Sequence, residues 1–287
     1  MPVYNGEAYV AQSLDSMLAQ TFGDFELLIS DNASTDATTE ICRGYAARDA
    51  RICYQRNDVN VGPNRNFNLL VHKARGEYFK LANADDLCAP DLLAQGVAVL
   101  DREPDVILCY ARTRLIDAEG NSLGDYDDNL DLRSSSAVTR FLGALGAVRM
   151  VNVLQGVIRR EELSKTGLLA PRPDSDVLLL VELALRGQFY ELPERWFFRR
   201  MHAAAASALK TPEERHAFVD PQSGSAGLMR TWKEHLGYAS VVLRTPLSLR
   251  DRAALLYRIL RFALGHRGTL RRELLQVMRV SMRGSRT

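Results

Sequence analysis

The feature that most constrains the fold of this chain is a unit that repeats through residues 8–102, in which an apolar run, a polar loop and a segment with helical apolar spacing follow one another. Ala8–Gln20 carries Val10, Leu14, Met17 and Leu18 at helical spacing, and Phe25–Ile29 reads as a buried strand. The polar run Ser30–Asp36 then supplies capping side chains for a helix over Thr38–Ala47. Ile52–Gln55 and Tyr78–Ala82 read as further strands, and Pro63 and Pro90 open helices that run to about Ala74 and Arg102. Such alternation predicts an α/β fold, a mainly parallel sheet with flanking helices, and it gathers ligand-binding groups at the carboxyl ends of the strands. Val106–Ile116 reads as a longer strand, Asp117–Asp131 as an acidic, mobile surface loop and Val153–Arg159 as a strand. A helix is expected over Asp176–Gly187, short strands at Phe189–Leu192 and Trp196–Arg200, and helical structure beyond Thr211. The chain opens at Pro2-Val3-Tyr4, where the first buried strand of such a sheet would already be ending, so a weakened floor is expected beneath the site.

Composition removes other fold classes. The 287 residues are 46% hydrophobic and 25% charged, without the Gly, charge or Cys bias of a collagen-like repeat, a long disordered region or a disulfide scaffold. Cys42, Cys53, Cys88 and Cys109 form no CxxC pair, so reduced, structural thiols in a cytosolic setting are expected. No segment reaches the ~18 apolar residues of a membrane span, and the first residues have no signal-peptide pattern.

The net charge of +2 hides an asymmetry: residues 228–287 hold 13 Lys/Arg against 3 Asp/Glu, leaving the preceding body acidic. An acidic body suits a site built from carboxylates around a divalent cation, and a basic tail suits an anionic membrane surface. No RNP, KH or zinc-finger pattern accompanies the charge, and nucleic acid is not an expected partner. Within the tail, Leu255, Leu256, Ile259, Leu260, Phe262 and Ala263 recur at helical spacing among arginines. They fit an amphipathic helix pair on a membrane, or a helical extension packed on the body with a solvated basic face.

Three clusters carry chemistry. Asn83-Ala84-Asp85-Asp86 follows a strand, and its adjacent carboxylates repel each other unless a cation or hydrogen-bond donors compensate. Asp85 and Asp86 are accordingly candidate ligands for Mg²⁺ or Mn²⁺ that chelates a diphosphate; capping of the next helix is the alternative. Asp31, at the head of Asp31–Asp36, has a carboxylate suited to a base imide or ribose hydroxyl, whereas Asp36 sits where a cap is needed. Arg65, at a helix start after Gly62-Pro63, suits a phosphate or an exposed ion pair.

Pro2-Val3-Tyr4-Asn5-Gly6-Glu7, Leu18–Thr21, Asp31–Asp36, Asn60–Gly62, Arg65-Asn66, Ala74–Tyr78 and Asp85-Asp86, in this order, resemble the nucleotide-sugar half of glycosyltransferase family 2 over about the first 105 residues. The resemblance implies a GT-A fold, Rossmann-like, at 1–210, with a nucleotide-sugar half over about 1–110 and an acceptor half over about 111–210. A basic helical extension at 211–287 follows. It further implies that Pro2, Tyr4, Asn5, Glu7, Asp31, Asn32 and Arg65 line the nucleotide site, with Asn83, Ala84 and Asp85 at the metal-binding DxD motif. Its first Asp is Asn83 here, whose amide can still bond ribose or water.

By the same resemblance Asp176 is the base that deprotonates the acceptor, with Asp174 as second choice, and Arg200-Met-His202 matches an Arg-x-His element near the diphosphate and metal. A helix N-cap for Asp176 and a packed or surface role for His202 are the structural alternatives. The implied activity is that of an inverting, metal-dependent glycosyltransferase of hexosyltransferase type, using a nucleoside-diphosphate sugar and a glycan or lipid-linked sugar acceptor. Cell-surface polysaccharide or glycolipid synthesis is the expected pathway, in the cytoplasm or at the cytoplasmic face of the membrane. A degenerate nucleotide-sugar-binding scaffold and a nucleotidyltransferase are the alternatives.

Overall fold

The computed structural model describes residues 1–147, 149–205, 208–222 and 229–284. Its first half runs β1 (Pro2–Val3), α1 (Val10–Leu18), β2 (Leu27–Asp31), α2 (Thr38–Ala46), β3 (Ile52–Arg56), α3 (Pro63–Lys73), β4 (Tyr78–Lys80), β5 (Leu87–Cys88) and α4 (Leu92–Arg102). It continues with β6 (Val106–Ile116), β7 (Ser122–Tyr126), α5 (Ala137–Ala147), a 3₁₀ turn (Asn152–Gln155), β8 (Val157–Arg159), α6 (Arg160–Ser164), α7 (Ser175–Arg186) and β9 (Gln188–Arg200). Four helices close the chain: α8 (Pro212–Val219), α9 (Arg230–Arg244), α10 (Leu249–Gly265) and α11 (Arg267–Gly284).

The strands form two sheets. β1-β2-β3 is parallel, as the βα alternation requires, because each crossover contains a helix. The second sheet, ordered β4-β8-β6-β9-β5 with β7 beside β6, is mixed: β6 and β9 run parallel, and the other pairs are antiparallel. The expected short strands around Pro193 form the single strand β9, whose pairing with β6 slips between Leu192 and Phe197. Pro193 has no N–H to donate, and the strand bulges past it and resumes. The segment expected as a mobile loop, Asp117–Asp131, contains β7, an exposed edge strand in a hairpin with β6.

Helices cover both faces. On one, Val10, Leu14 and Met17 of α1 and Leu92, Leu93, Val99 and Leu100 of α4 pack on Leu27, Ile29 and Val106. On the other, Phe67, Leu70 and Val71 of α3, Phe141 of α5 and Leu179–Leu185 of α7 pack on Phe79, Leu108 and Phe189. This second core also takes in Tyr238, Val241 and Val242 of α9 and Leu255 and Ile259 of α10. Burial of each such side chain contributes roughly 1.5–3 kcal/mol, so α9 and α10 are held to the body by apolar packing.

β1 is present, but only as two residues, in register with Ser30 and Asp31. Beyond it, Leu27 and Leu28 of β2 and the whole of β4 border a cavity of about 880 Å³ whose wall is largely apolar. Among the described residues the two sheets share no strand ladder across it.

Candidate active site

A second cavity, about 760 Å³, lies at the carboxyl ends of β1, β2 and β4. Pro2, Tyr4, Asn5, Asn32, Asn83, Ala84, Asp85 and Asp86 from the first part of the chain line it, together with Asn152, Gln155, Asp174, Ser175, Asp176, Arg199 and His202 from the later part. Residues from both halves of the sequence therefore meet around one opening.

The loops after β1 and β2 are stitched together by their own polar groups. Asn5 lies in the left-handed region at φ 48° and accepts from the Thr35 N–H at 2.8 Å. Glu7 accepts from the Ala37 N–H at 2.9 Å, and the Glu7 N–H donates to Asp36 at 3.1 Å. Asn5 and Glu7 thus fix loop geometry, and Glu7 does not line the cavity. Tyr4 presents an exposed ring at its mouth. Asn32 accepts from the Val61 N–H at 3.0 Å and donates to Asn60 at 2.8 Å, which ties the β2 end to the start of α3.

Two residues expected to bind nucleotide are turned elsewhere. The Asp31 carboxylate is fully buried and accepts from the Ser34 N–H (2.8 Å), Thr39 (2.6 Å), Tyr54 (2.8 Å) and Arg56 (2.9 Å). Burial alone raises its pKa, but these donors outweigh it and hold the carboxyl below its ordinary value. With four donors already bound and no place in the cavity wall, Asp31 organises the loop from behind. Arg65 ion-pairs with Asp220, just after α8, at 3.1 Å, and it too is absent from the wall.

The carboxylate pair divides into two roles. Asp86 is buried; its Oδ1 accepts from the Arg200 N–H at 2.9 Å and its Oδ2 from Asn83 Nδ2 at 2.7 Å. Burial first, and then the Asp85 charge, push its pKa up to about 6. Asp85 is more open, and its Oδ2 lies 3.1 Å from His202 Nε2. A carboxylate oxygen and an imidazole nitrogen on one wall suit a divalent ion that takes its remaining ligands from phosphate and water, and the imidazole favours Mn²⁺ over Mg²⁺. Among the described residues no three His, Cys, Asp or Glu come together as a preformed cage. The protein's share of such a site is therefore Asp85 and His202, with Asp86 holding the turn.

Arg200, expected beside the diphosphate, is instead a bolt. It is 1% exposed and donates to the carbonyls of Asp85 (2.9 Å), Asp117 (3.1 Å) and Ala118 (2.7 Å) and to Gln12 (2.8 Å), with its guanidinium 4.7 Å over the Tyr9 ring. Strand alternation turns its neighbour the other way. Arg199 lines the cavity, held by the Met150 carbonyl at 2.7 Å and Asn152 Oδ1 at 2.6 Å, and its charge reaches both Asp86 and Asp176. The spacing to His202 selects Arg200; the parity with Phe197, a second wall residue on β9, is the sequence signal for Arg199.

Asp176 opens α7, and its Oδ1 accepts from the Val177 N–H at 2.9 Å. Burial, with the nearby Asp174 charge, raises its pKa, and Arg199 opposes the rise. Asp174 is exposed and bound to Arg230 at 2.6 Å, which leaves Asp176 as the carboxylate available to the cavity. Two asparagines one helical turn apart set the position of α7. Asn64 donates to Ala170 O at 2.6 Å and to Ser175 Oγ at 2.8 Å, and Asn68 exchanges two bonds with Leu169 at 2.9 and 3.1 Å. Sequence reasoning passes over both, because an asparagine on a helix carries no sign of a partner a hundred residues away.

Known proteins share this architecture. Staphylococcus aureus TarS (residues 1–349, in complex with UDP) superposes with a TM-score of 0.65 at 17% identity, over 90% of this chain and 69% of that one. The mannosyltransferase PcManGT of Pyrobaculum calidifontis, in complex with GDP-Man and Mn²⁺, gives 0.55 at 18% identity, over 95% and 82%. The fold is that of the GT-A glycosyltransferases. The glycosyl transferase family 2 model matches residues 1–134, and through them the chain belongs to glycosyltransferase family 2. An uncharacterized protein of Mycobacterium tuberculosis is 33% identical over 205 residues, 70% of this chain. This chain spans 57% of that relative's length. The abequosyltransferase RfbV of Salmonella typhimurium is 41% identical over 112 residues, 38% of this chain and 34% of RfbV. No helix among the described residues is long and apolar enough to cross a membrane.

Proposed function

We propose that the protein is an inverting, metal-dependent glycosyltransferase of hexosyltransferase type that moves a sugar from a nucleoside-diphosphate donor to a hydroxyl of a glycan or lipid-linked acceptor. The observation that carries this reading is the placement of Asp85 and His202 on the rim of the same cavity as Asp176 and Arg199. Cell-surface polysaccharide or glycolipid synthesis, in the cytoplasm or against its membrane face, is the setting that the relatives and the basic C-terminal helices support.

In this reading the acceptor hydroxyl attacks the anomeric carbon as the bond from that carbon to the diphosphate oxygen breaks on the opposite face. Asp176 takes the hydroxyl proton; its raised pKa makes it a stronger base than an ordinary carboxylate. Arg199 places a guanidinium where charge develops on the departing diphosphate, which is the electrostatic contribution expected to matter most. Asp85 and His202 would hold Mn²⁺ or Mg²⁺, which supplies further neutralisation of that diphosphate when bound. Tyr4 and Asn32 border the nucleotide end, and the bolted Arg200 and Asp86 keep the two walls at a fixed separation.

The test is a thermal-shift panel of UDP, GDP, dTDP and CDP, each with and without Mn²⁺. A ligand stabilises only the state that binds it, so one nucleotide should raise Tm, and do so more with Mn²⁺ than without. Asp85→Ala should abolish the difference that Mn²⁺ makes. No response to any nucleotide would overturn the donor assignment.

A further inference from the structure

α10 carries two apolar stripes, and the body of the protein uses only one. Leu255 and Ile259, one turn apart, are buried in the core with α9 and α5. Around the axis by about 140°, at 100° per residue, Leu249, Ala253, Tyr257, Leu260 and Leu264 form a second stripe along the full length of the helix. It faces solvent: Leu249 is 81% exposed, Tyr257 59%, Leu260 57% and Leu264 59%. A helix that packs on its body through one stripe ordinarily turns polar residues outward, and α10 does so only on its arginine edge. The sequence pattern Leu255, Leu256, Ile259 and Leu260 merges the two stripes; the structure separates them.

The surroundings of this outer stripe are positively charged. Arg250, Arg258 and Arg261 border it on one side, and Arg267, Arg271 and Arg272 continue the exposed charge onto α11, with Leu274 and Leu275 also exposed. The three acids of this region are engaged locally. Asp251 caps α10 with Ser248, Glu273 accepts from the N–H groups of Thr231 and Trp232, and Glu234 accepts from Tyr238. The arginines on the rim of α10 have no acid of their own helix left to meet.

We propose that this face of α10 docks on an anionic lipid bilayer, with the outer leucines at the headgroup boundary and Arg250, Arg258 and Arg261 against lipid phosphates. Apolar area and cationic rim act together in such interfacial helices, and the long arginine stems reach the phosphates while their methylenes stay in the apolar layer. Charge decides between occupants. A second copy would set one arginine rim against another, whereas an anionic leaflet complements it. The inference rests on α10 alone and does not depend on the sugar-transfer reading.

The full chain should co-sediment with phosphatidylcholine vesicles that contain phosphatidylglycerol, and should remain in the supernatant with phosphatidylcholine alone. Leu260→Glu/Leu264→Glu and, separately, Arg258→Glu/Arg261→Glu should each reduce the partition coefficient at least ~10-fold, as the loss of apolar insertion or of lipid-phosphate attraction requires. Both pairs are exposed, and an unchanged Tm shows that the fold survives. Wild-type protein that ignores anionic vesicles, or a leucine double variant that binds them as well as wild type, would overturn the proposal. So would light scattering that finds a dimer which the leucine variant converts to monomer with vesicle binding intact, since the stripe would then belong to a second copy.

Discussion

The two walls of the candidate-site cavity spend their polar groups differently. On the wall built by the loops after β1 and β2, Asn5, Glu7, Asp31, Asn32 and Asp36 bond to each other's loops and to backbone N–H groups. On the facing wall, Asp176 and Arg199 each keep capacity toward the opening, while Arg200, Asn64 and Asn68 fix the backbone behind them. The first wall is a preorganised surface that shapes a ligand site, and the second presents the groups suited to chemistry. Mutations should therefore separate cleanly into losses of turnover and losses of stability.

The largest effect is expected at Asp176, the proposed base. Asp176→Asn should lower kcat by about 10²–10⁴-fold with nucleotide affinity nearly intact, measured by donor turnover and by titration of the nucleotide; full turnover would break the division of labour. The next is the contrast between neighbouring arginines. Arg199→Ala should reduce kcat by about 10²-fold with a smaller fall in Tm than Arg200→Ala, which removes the donors of three backbone carbonyls and of Gln12 while the residue-200 N–H stays on Asp86. Asp31→Ala should cost about 2 kcal/mol of stability by leaving buried donors unpaired, seen as a lower denaturant midpoint, and nucleotide affinity should fall only as the loop loosens.

The pH profile offers a smaller separation. A base must be unprotonated to act, so kcat/KM should rise with pH, with its midpoint above the ordinary Asp value near ~4 because burial raises the Asp176 pKa. Stability should move the opposite way. Asp86, raised to about 6, and Asp128, raised to about 7 mainly by burial, bind protons more tightly folded than unfolded. Their contribution is complete below the ordinary Asp pKa and is lost as pH climbs through 6 and 7. Asp128, buried on the β7 side with its Oδ2 unpartnered, gives the direct check. Asp128→Asn should flatten the fall in Tm between pH 4 and 7, and an unchanged slope would remove Asp128 from that account.

How much of this was legible in the sequence follows from the range of the interactions. The helices and strands of residues 10–116 follow from apolar periodicity and Pro/Gly punctuation, since both act within a few residues. The Asp85-Asp86 turn and the Asp176 helix start were readable as well, because both are local and both sit where strand ends and helix starts converge. What escaped depends on distant partners. That Asp31 faces inward is decided by Tyr54 and Arg56 on the neighbouring strand. That Arg200 is a bolt and Arg199 lines the cavity is decided by β9 joining β6 through the bulge at Pro193, which sets which side each one faces. The antiparallel partners of the second sheet were also hidden, because nothing in a three-residue strand such as β4 or β8 names its neighbour.

The gap between the two sheets has a consequence for how the molecule opens. Among the described residues no ladder crosses the 880 Å³ cavity, so side-chain packing of α1 and α4 and bonds such as Arg200 to Gln12 carry the join between the sheets; the β1-β2-β3 side should open at less cost than global unfolding, and amide hydrogen exchange should divide along that line. Tyr4 and Asn32 lie on the detachable side, and Asp85, Asp176 and Arg199 on the other. A nucleotide that touches both would close the seam, and its binding would register as slowed exchange in strands that it never contacts.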